Sequence, residues 1–443
     1  MRAANAGRSP PCLRTARRGG LRLLHLVARC FLPTLLALSA APVHAQVQSQ
    51  VQPEGTAKFT AFAEETVTSD DNLFRLSDQI DPTTVIGSSS RGDTYRVTTV
   101  GFSADVPVSL QRFEATLTYN SYHYDRFHML DYDGYNLHGS WLWAIGRSLS
   151  GEIGVTENYS LTPFEQLLGG AAPGTAVVPD HLHLREEFAR GSWLVTPDWK
   201  LYGAADDLNQ TNSDPLGQFN NVTVDSLEAS LSRAAGTGNW FGLDTRAEWG
   251  HFPVAEPITA PTGTVQVDNG YKQYGFGVVV DMGAETPSHV AARADQVTRH
   301  YDQVSVRNFD RTTGRIEYTW TPDVKVAVSA IAERDISPYE YIHSGIVMVR
   351  GVTLRPLWHA TDALDLSAAL AWLNRDYLAD PVVALGAAPP RDDGVRTMSA
   401  LLDYHPARWV TVQLSYLHEG RSSNVLYGGY DVNVFWAKLR LSL

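Results

Sequence analysis

Cysteine is nearly missing from this chain. The 443 residues hold two, Cys12 and Cys30, both inside an arginine-rich N-terminal stretch. Once that stretch is removed no thiol remains, which excludes a disulfide scaffold, thiolate-ligated zinc and iron–sulfur clusters. Long hydrophobic runs are missing too. The most apolar segment, "FLPTLLALSAAP" (31–42), is short and broken by Pro33 and Pro42, so it cannot stay across a bilayer as a helix. Beyond it, no segment of useful length repeats its apolar residues with a helical period. Positive charge is in deficit: 36 Lys and Arg stand against 48 Asp and Glu, a net charge of −12. A nucleic-acid partner, which needs basic counter-charge, is thereby excluded.

The first residues carry their own pattern. Arg2, Arg8, Arg14, Arg17, Arg18, Arg22 and Arg29 form a basic region with no acid, the apolar segment follows, and "VHA" ends in the small residue Ala45. This is the layout of a cleaved secretory signal. The expected division is therefore a signal peptide at 1–45 and one domain at 46–443. Without the seven arginines the net charge falls to about −19. No linker or change of texture divides the remainder.

What is abundant is two-residue alternation. In "WVTVQLSYLH" Val410, Val412, Leu414 and Tyr416 share one phase, Thr411, Gln413 and Ser415 the other. In "FGLDTRAEWGH" Phe241, Leu243, Ala247 and Trp249 oppose Asp244, Arg246 and Glu248, and in "RTTGRIEYTW" Ile316, Tyr318 and Trp320 oppose Arg315 and Glu317. These runs last about ten to fifteen residues, against ~5–6 for a typical soluble strand. Charges also sit in mid-run, where a sandwich core would reject them and a water-filled lumen accepts them.

The connectors alternate in length. Eight short ones, such as "AIGRS", "AAGTGN", "GAETP" and "HPAR", separate nine that are mostly longer and more acidic. That count predicts an all-β fold: a transmembrane antiparallel β-barrel of about 18 strands, with 16 as the fallback. Short periplasmic turns and longer extracellular loops would place it in the outer membrane. Trp141, Trp143, Trp320 and Trp409, with Trp193, Trp199, Trp240 and Trp358, lie close to the short turns. An interfacial aromatic girdle accounts for this. The chain ends "VNVFWAKLRLSL", alternating to Leu443. That strand resembles the signal read by the barrel-assembly machinery, which usually ends in an aromatic residue.

One loop stands out. "DDNLFRLSD" follows the first strand-like run, and its Asp71, Asn72, Phe74 and Arg75 form a corner. Asp71 and Asn72 are expected to make an Asx-turn, Phe74 to fold inward and Arg75 to reach an acid, anchoring the loop over the mouth. Glycan contact is the functional alternative for the same four residues. The corner, the X-Pro hairpins and the last strand resemble outer-membrane barrel proteins encoded with exopolysaccharide-biosynthesis clusters, the exosortase-associated EpsL-type family. The resemblance implies a channel or assembly component for exopolysaccharide export, with that polymer and periplasmic polymer-export proteins as partners. A general diffusion or uptake porin for small solutes is the alternative. An outer-membrane hydrolase is the second.

Other chemistry is thinly represented. Asp70, Asp71 and Asp78 could supply oxygens to calcium, but without the spacing of a known loop. His181 and His183 share a phase that could chelate a metal, with no third ligand nearby. His138 and Ser140 share a phase, expected to be the lumenal one, and lack the third member of a hydrolytic constellation. Neither an enzyme nor a cofactor is expected. The lumen-phase charges Asp244, Arg246, Glu248, Arg315 and Glu317 are of mixed sign, which suits a neutral or weakly charged glycan rather than a polyanion. Acidic outer loops are expected to bridge to lipopolysaccharide through divalent cations, and "PFEQLLGGAAPGTAVVP" (163–179) is a candidate constriction.

Overall fold

The computed structural model describes residues 55–164, 177–215, 217–260, 263–337, 346–378 and 390–443. The expected signal segment and most of the candidate constriction lie outside the described residues. Among them the first nine strands are β1 (Lys58–Asp70), β2 (Asp93–Val108), β3 (Gln111–Tyr124), β4 (Tyr132–Ile145), β5 (Leu149–Leu161), β6 (His181–Thr196), β7 (Trp199–Asn212), β8 (Val222–Ala234) and β9 (Trp240–His251). A small hairpin follows, β10 (Glu256–Ala260) and β11 (Gly263–Val267). Then come β12 (Tyr271–Met282), β13 (Ser288–Tyr301), β14 (Phe309–Trp320), β15 (Val326–Ser337), β16 (Ile346–Thr361), β17 (Leu364–Leu378), β18 (Asp392–Ala407), β19 (Val410–Ser423) and β20 (Tyr430–Ser442).

Setting the hairpin aside, every strand pairs antiparallel with the next, β9 pairs with β12, and β20 returns to β1. The result is a closed 18-stranded sheet, so the 16-strand fallback is set aside. Closure removes the exposed edges that an open sheet of this size would present. Local choices support it. Gly146 and Gly283 take φ of 65° and 75° in short turns, a left-handed conformation that a side chain would strain.

Register assigns the faces. Phe113, Trp141 and Ile153 are cross-strand neighbours on β3, β4 and β5 and are exposed, as are Leu231 and Leu243 on β8 and β9. In a closed barrel this exposed apolar phase faces hydrocarbon. On the other phase, side chains from non-adjacent strands meet. Arg293 of β13 lies 2.8 Å from Asp244 of β9, reaching across β12. Gly277 of β12 keeps that path open, since a Cβ there would fall 2.1 Å from an Asp295 oxygen. Only a concave surface brings side chains two strands apart together, so this phase is the lumen.

The seam between β1 and β20 is fastened by charge. Glu64 pairs with Arg440 at 3.1 Å and Lys438 at 3.4 Å, and the Arg440 guanidinium stacks 3.6 Å from the Phe62 ring centroid. Above them the Asp71 carboxylate accepts from the Asn433 backbone N–H and side-chain amide, both at 2.7 Å.

The tryptophans split. Trp141, Trp320 and Trp409 are exposed near short turns, and Trp143 packs outward over Gly151. Trp240 is a correction: it shares the phase of Asp244 and faces the lumen, where the Lys200 ammonium lies 4.8 Å from its ring. A Trp near a turn is not thereby in the girdle, because phase and not position decides its face.

Candidate functional site: the lumen and its mouth

The connector 71–92 folds against the lumenal wall at the long-loop end. Phe74, fully buried, meets Phe127 edge-on at 4.7 Å between centroids and Phe164 at 4.6 Å. Leu73, Leu76, Ile80, Val85 and Leu130 complete the cluster with Tyr124, whose ring stacks with Tyr95 on the lumen phase of β2. Burying several such side chains, at roughly 1.5–3 kcal/mol each, is ample reason for a 22-residue connector to fold rather than hang in solvent.

Its corner is tied by polar bonds. Arg75, at φ 56°, places its guanidinium 2.8 Å from Asp70, with side chains only 8% and 4% exposed. Burial works against this charge, yet Asp70 holds the guanidinium above the ordinary arginine range. The left-handed backbone costs energy in a non-glycine residue and is held here by the ion pair and by a bond from Arg75 to the Asn72 carbonyl. The Asn72 side chain accepts from the Leu76 N–H and donates to the carbonyls of Leu76 and Asp431. The Asx-turn expected of Asp71 and Asn72 is instead made by Asp70, whose carboxylate accepts from the Asn72 N–H at 2.9 Å. Asp71 is occupied at the seam with Asn433.

The three aspartates considered for calcium do not converge. Asp70 holds Arg75, Asp71 holds Asn433 and Asp78 holds Arg91 at 2.7 Å. Among the described residues no group of three His, Cys, Asp or Glu is placed to hold a metal. His181 and His183 do share a phase, on β6. They lie on the outward phase, paired with Leu161 and Tyr159, and His183 meets Glu157 at 2.7 Å.

A second cluster fills the mouth opposite. Val222, Phe252, Tyr271, Val297, Tyr301, Phe309 and Ile346 bury one another. The Arg299 guanidinium lies 3.7 Å from the Tyr271 ring and bonds Gln273 and Glu248. Arg307, buried in the β13–β14 connector, pairs with Glu256 of the small hairpin at 3.0 Å and bonds Asn269. A third arginine, Arg421, is buried against Asp393 and donates to the Tyr377 hydroxyl at 2.9 Å.

Below the mouth the lumen carries ladders of opposite charge. Arg293 touches Asp244, Asp295 and Glu228, Arg246 reaches Glu228 at 3.1 Å, and Arg315 bridges Glu317 and Glu333. Asp244, Arg246, Glu248, Arg315 and Glu317 thus all face the lumen, Asp244 and Arg246 in the Arg293 group, Glu248 with Arg299, and Arg315 with Glu317 in a third group. Arg190 with Asp206 and Arg112 with Asp105 continue the pattern on β6–β7 and β2–β3. Lys325 sits in the turn before β15. His138 and Ser140 face the lumen on β4, and no carboxylate–histidine–serine relay is present among the described contacts.

The sequence reading missed Arg293, Arg299, Arg307 and Arg421. Arg293 and Asp295 were legible in principle, since "AARADQV" alternates small and charged residues. Arg307 and Arg421 were not, because their partners lie 51 and 28 residues away.

No family model matches the chain, and no curated protein matches it in sequence. Solved structures with a similar course include OccAB3 of Acinetobacter baumannii, at TM-score 0.45 and 10% identity over 87% of this chain and 99% of that one. Another is OccK9 (OpdG) of Pseudomonas aeruginosa, at TM-score 0.46 and 9% identity over 87% and 98%. A third is OccK2 (OpdF) of the same organism, in complex with glucuronate, at TM-score 0.45 and 10% identity over 87% and 98%. A likeness of that degree carries no argument about substrate. The closed 18-stranded barrel, its apolar outer phase and its charged inner phase define the class: this chain is an outer-membrane β-barrel.

Proposed function

We propose that the barrel is a passive channel for small hydrophilic solutes, restricted at its extracellular mouth. The carrying observation is the lumenal network around Arg293, Arg246 and Arg315. Fixed charges of both signs on a concave wall make a wet, low-field path and no reaction centre. Beside it Arg355 faces the lumen on β16, exposed and without an ion pair among the described residues. The buried clusters at the mouth favour small solutes over a polymer, since they occupy space that a glycan chain would need.

The exopolysaccharide role implied by the Asp71–Arg75 resemblance is the reading that the same experiment separates. Purified barrel in planar bilayers is expected to give discrete ion-conducting steps, and in liposomes to admit small sugars and amino acids. Failure to conduct would overturn the channel. Conductance blocked by purified exopolysaccharide from the periplasmic side, with no passage of small solutes, would transfer the function to export.

A further inference from the structure

Above the apolar belt, β15 and β16 carry an arrangement that isolated strands avoid. Arg334 and Arg350 are direct cross-strand partners on the outward phase, and both are exposed. Like charges in that position repel. Two acids stand on the Arg350 side, Asp376 at 2.8 Å from Arg350 and Asp392, the cross-strand partner of Asp376, whereas Arg334 has no ion pair among the described residues. A third arginine, Arg396, is exposed on the same face of β18, one outward step deeper and across Trp372.

The level of the pair is informative. Arg350 stands eight residues from Trp358, which is exposed near the short turn. At ~3.3 Å per residue and a tilt of about 40°, that is roughly 20 Å of membrane height. The arginines therefore stand where the hydrocarbon of the outer leaflet ends. Beside and below Arg334 the outward side chains are small. Gly314 is its direct cross-strand partner with Ala294 next along, Ala332 is one outward step below it, and Ala292 follows, flanked by Ile316 and Val278. They line a groove of about 450 Å³.

We propose that this face binds one phosphorylated lipid of the outer leaflet. Arg334 and Arg350 would share its phosphate, with Arg396 as a flanking contact and an acyl chain in the groove. A phosphate oxygen pair supplies the counter-charge that Arg334 lacks and a shared acceptor for Arg350, and charge-assisted bonds to guanidinium are the strong ones. The small residues supply the depth an acyl chain needs against an otherwise bulky belt. The chemistry recognised is a phosphate monoester at the membrane surface, as on lipid A. Phosphatidylglycerol offers a diester at the same depth, and inorganic phosphate offers the anion without the chain.

The test uses the full-length barrel, refolded and delipidated in detergent, with native mass spectrometry as the readout. Bisphosphorylated lipid A, its dephosphorylated form, phosphatidylglycerol and inorganic phosphate are each titrated. The expected result is one tightly retained lipid A, at least tenfold weaker binding of the dephosphorylated form, and no retained inorganic phosphate. The double variant R334Q/R350Q should lose at least tenfold in retention, and R334K/R350K should recover most of it. A332F, which fills the groove and leaves the charges, should also weaken retention. Each variant is checked for its heat-modifiable gel shift, so that a folding failure is recognised. Retention unchanged in folded R334Q/R350Q, or equal for the dephosphorylated lipid, would overturn the proposal. Inorganic phosphate competing as well as lipid A would overturn the lipid as occupant. Preference for phosphatidylglycerol over lipid A would overturn the monoester.

Discussion

Strands β12–β15 and β16–β20 line one lumen, the first with a charged patch and the second with an apolar one set beside its own inward charges Arg355, Asp393 and Arg421. The first group turns Gln273, Arg293, Asp295, Arg299, Arg315, Glu317 and Glu333 inward. The second turns in Val347, Val349, Leu373, Val395, Leu417, Val432 and Val434, all buried. The difference teaches that the inner phase of a barrel need not be the polar phase. Where charges line the wall, they compensate one another across strands and are largely covered by that pairing. Where Val and Leu line it, the side chains are shielded and behave as a core. A channel built on this plan sets charged and apolar patches side by side around one lumen.

Four substitutions would break or sharpen that contrast. The largest effect is expected from Arg293→Ala. It strands Asp244 and Asp295, and leaves Glu228 to Arg246 alone, in a site where these acids are almost wholly covered. Leaving buried charge uncompensated costs about 3–5 kcal/mol, to be read as a lowered urea midpoint in micelles. A midpoint equal to wild type would mean that the charged wall is solvated well enough to need no pairing.

Asp70→Asn comes next. It keeps the acceptor for the Asn72 N–H but removes the charge facing Arg75, at about 1.5–3 kcal/mol for a charge-assisted bond. The loop cluster should open more often, giving faster hydrogen exchange over 71–92 and a larger mean conductance. Val347→Asn puts an amide into the apolar wall, where Val347 is fully buried. A buried amide without a partner costs about 1–3 kcal/mol, and the same change at exposed Thr116 should cost nothing measurable. The smallest effect belongs to Arg355→Gln, within about 0.5 kcal/mol in stability. Removing an exposed lumenal cation should nevertheless move the reversal potential toward cation preference. An unchanged potential would place Arg355 away from the ion path.

Much of this was legible beforehand. Alternation in "FGLDTRAEWGH" and "RTTGRIEYTW" fixed which residues of β9 and β14 face inward, and the spacing of short and long connectors gave the strand number. It succeeded because a strand's side-chain period is a local property of the backbone. It failed where both phases are apolar, as in "IVMVRGV" of β16, because no contrast marks the inner face. It failed again at the corner, where Asp70 and not Asp71 makes the turn. The roles of two adjacent aspartates depend on which of them meets β20.

The number of the strands, and their phase wherever polar and apolar residues alternate, were therefore written in the sequence, since each follows from neighbours within a few residues. Only the tertiary structure decided the rest: Arg307 with Glu256, Arg421 with Asp393, Asp71 with Asn433 at the closing seam, and the cross-strand arginines 334 and 350. Those pairs are set by register and curvature, which bring together side chains that chain distance keeps apart and no local pattern can reveal.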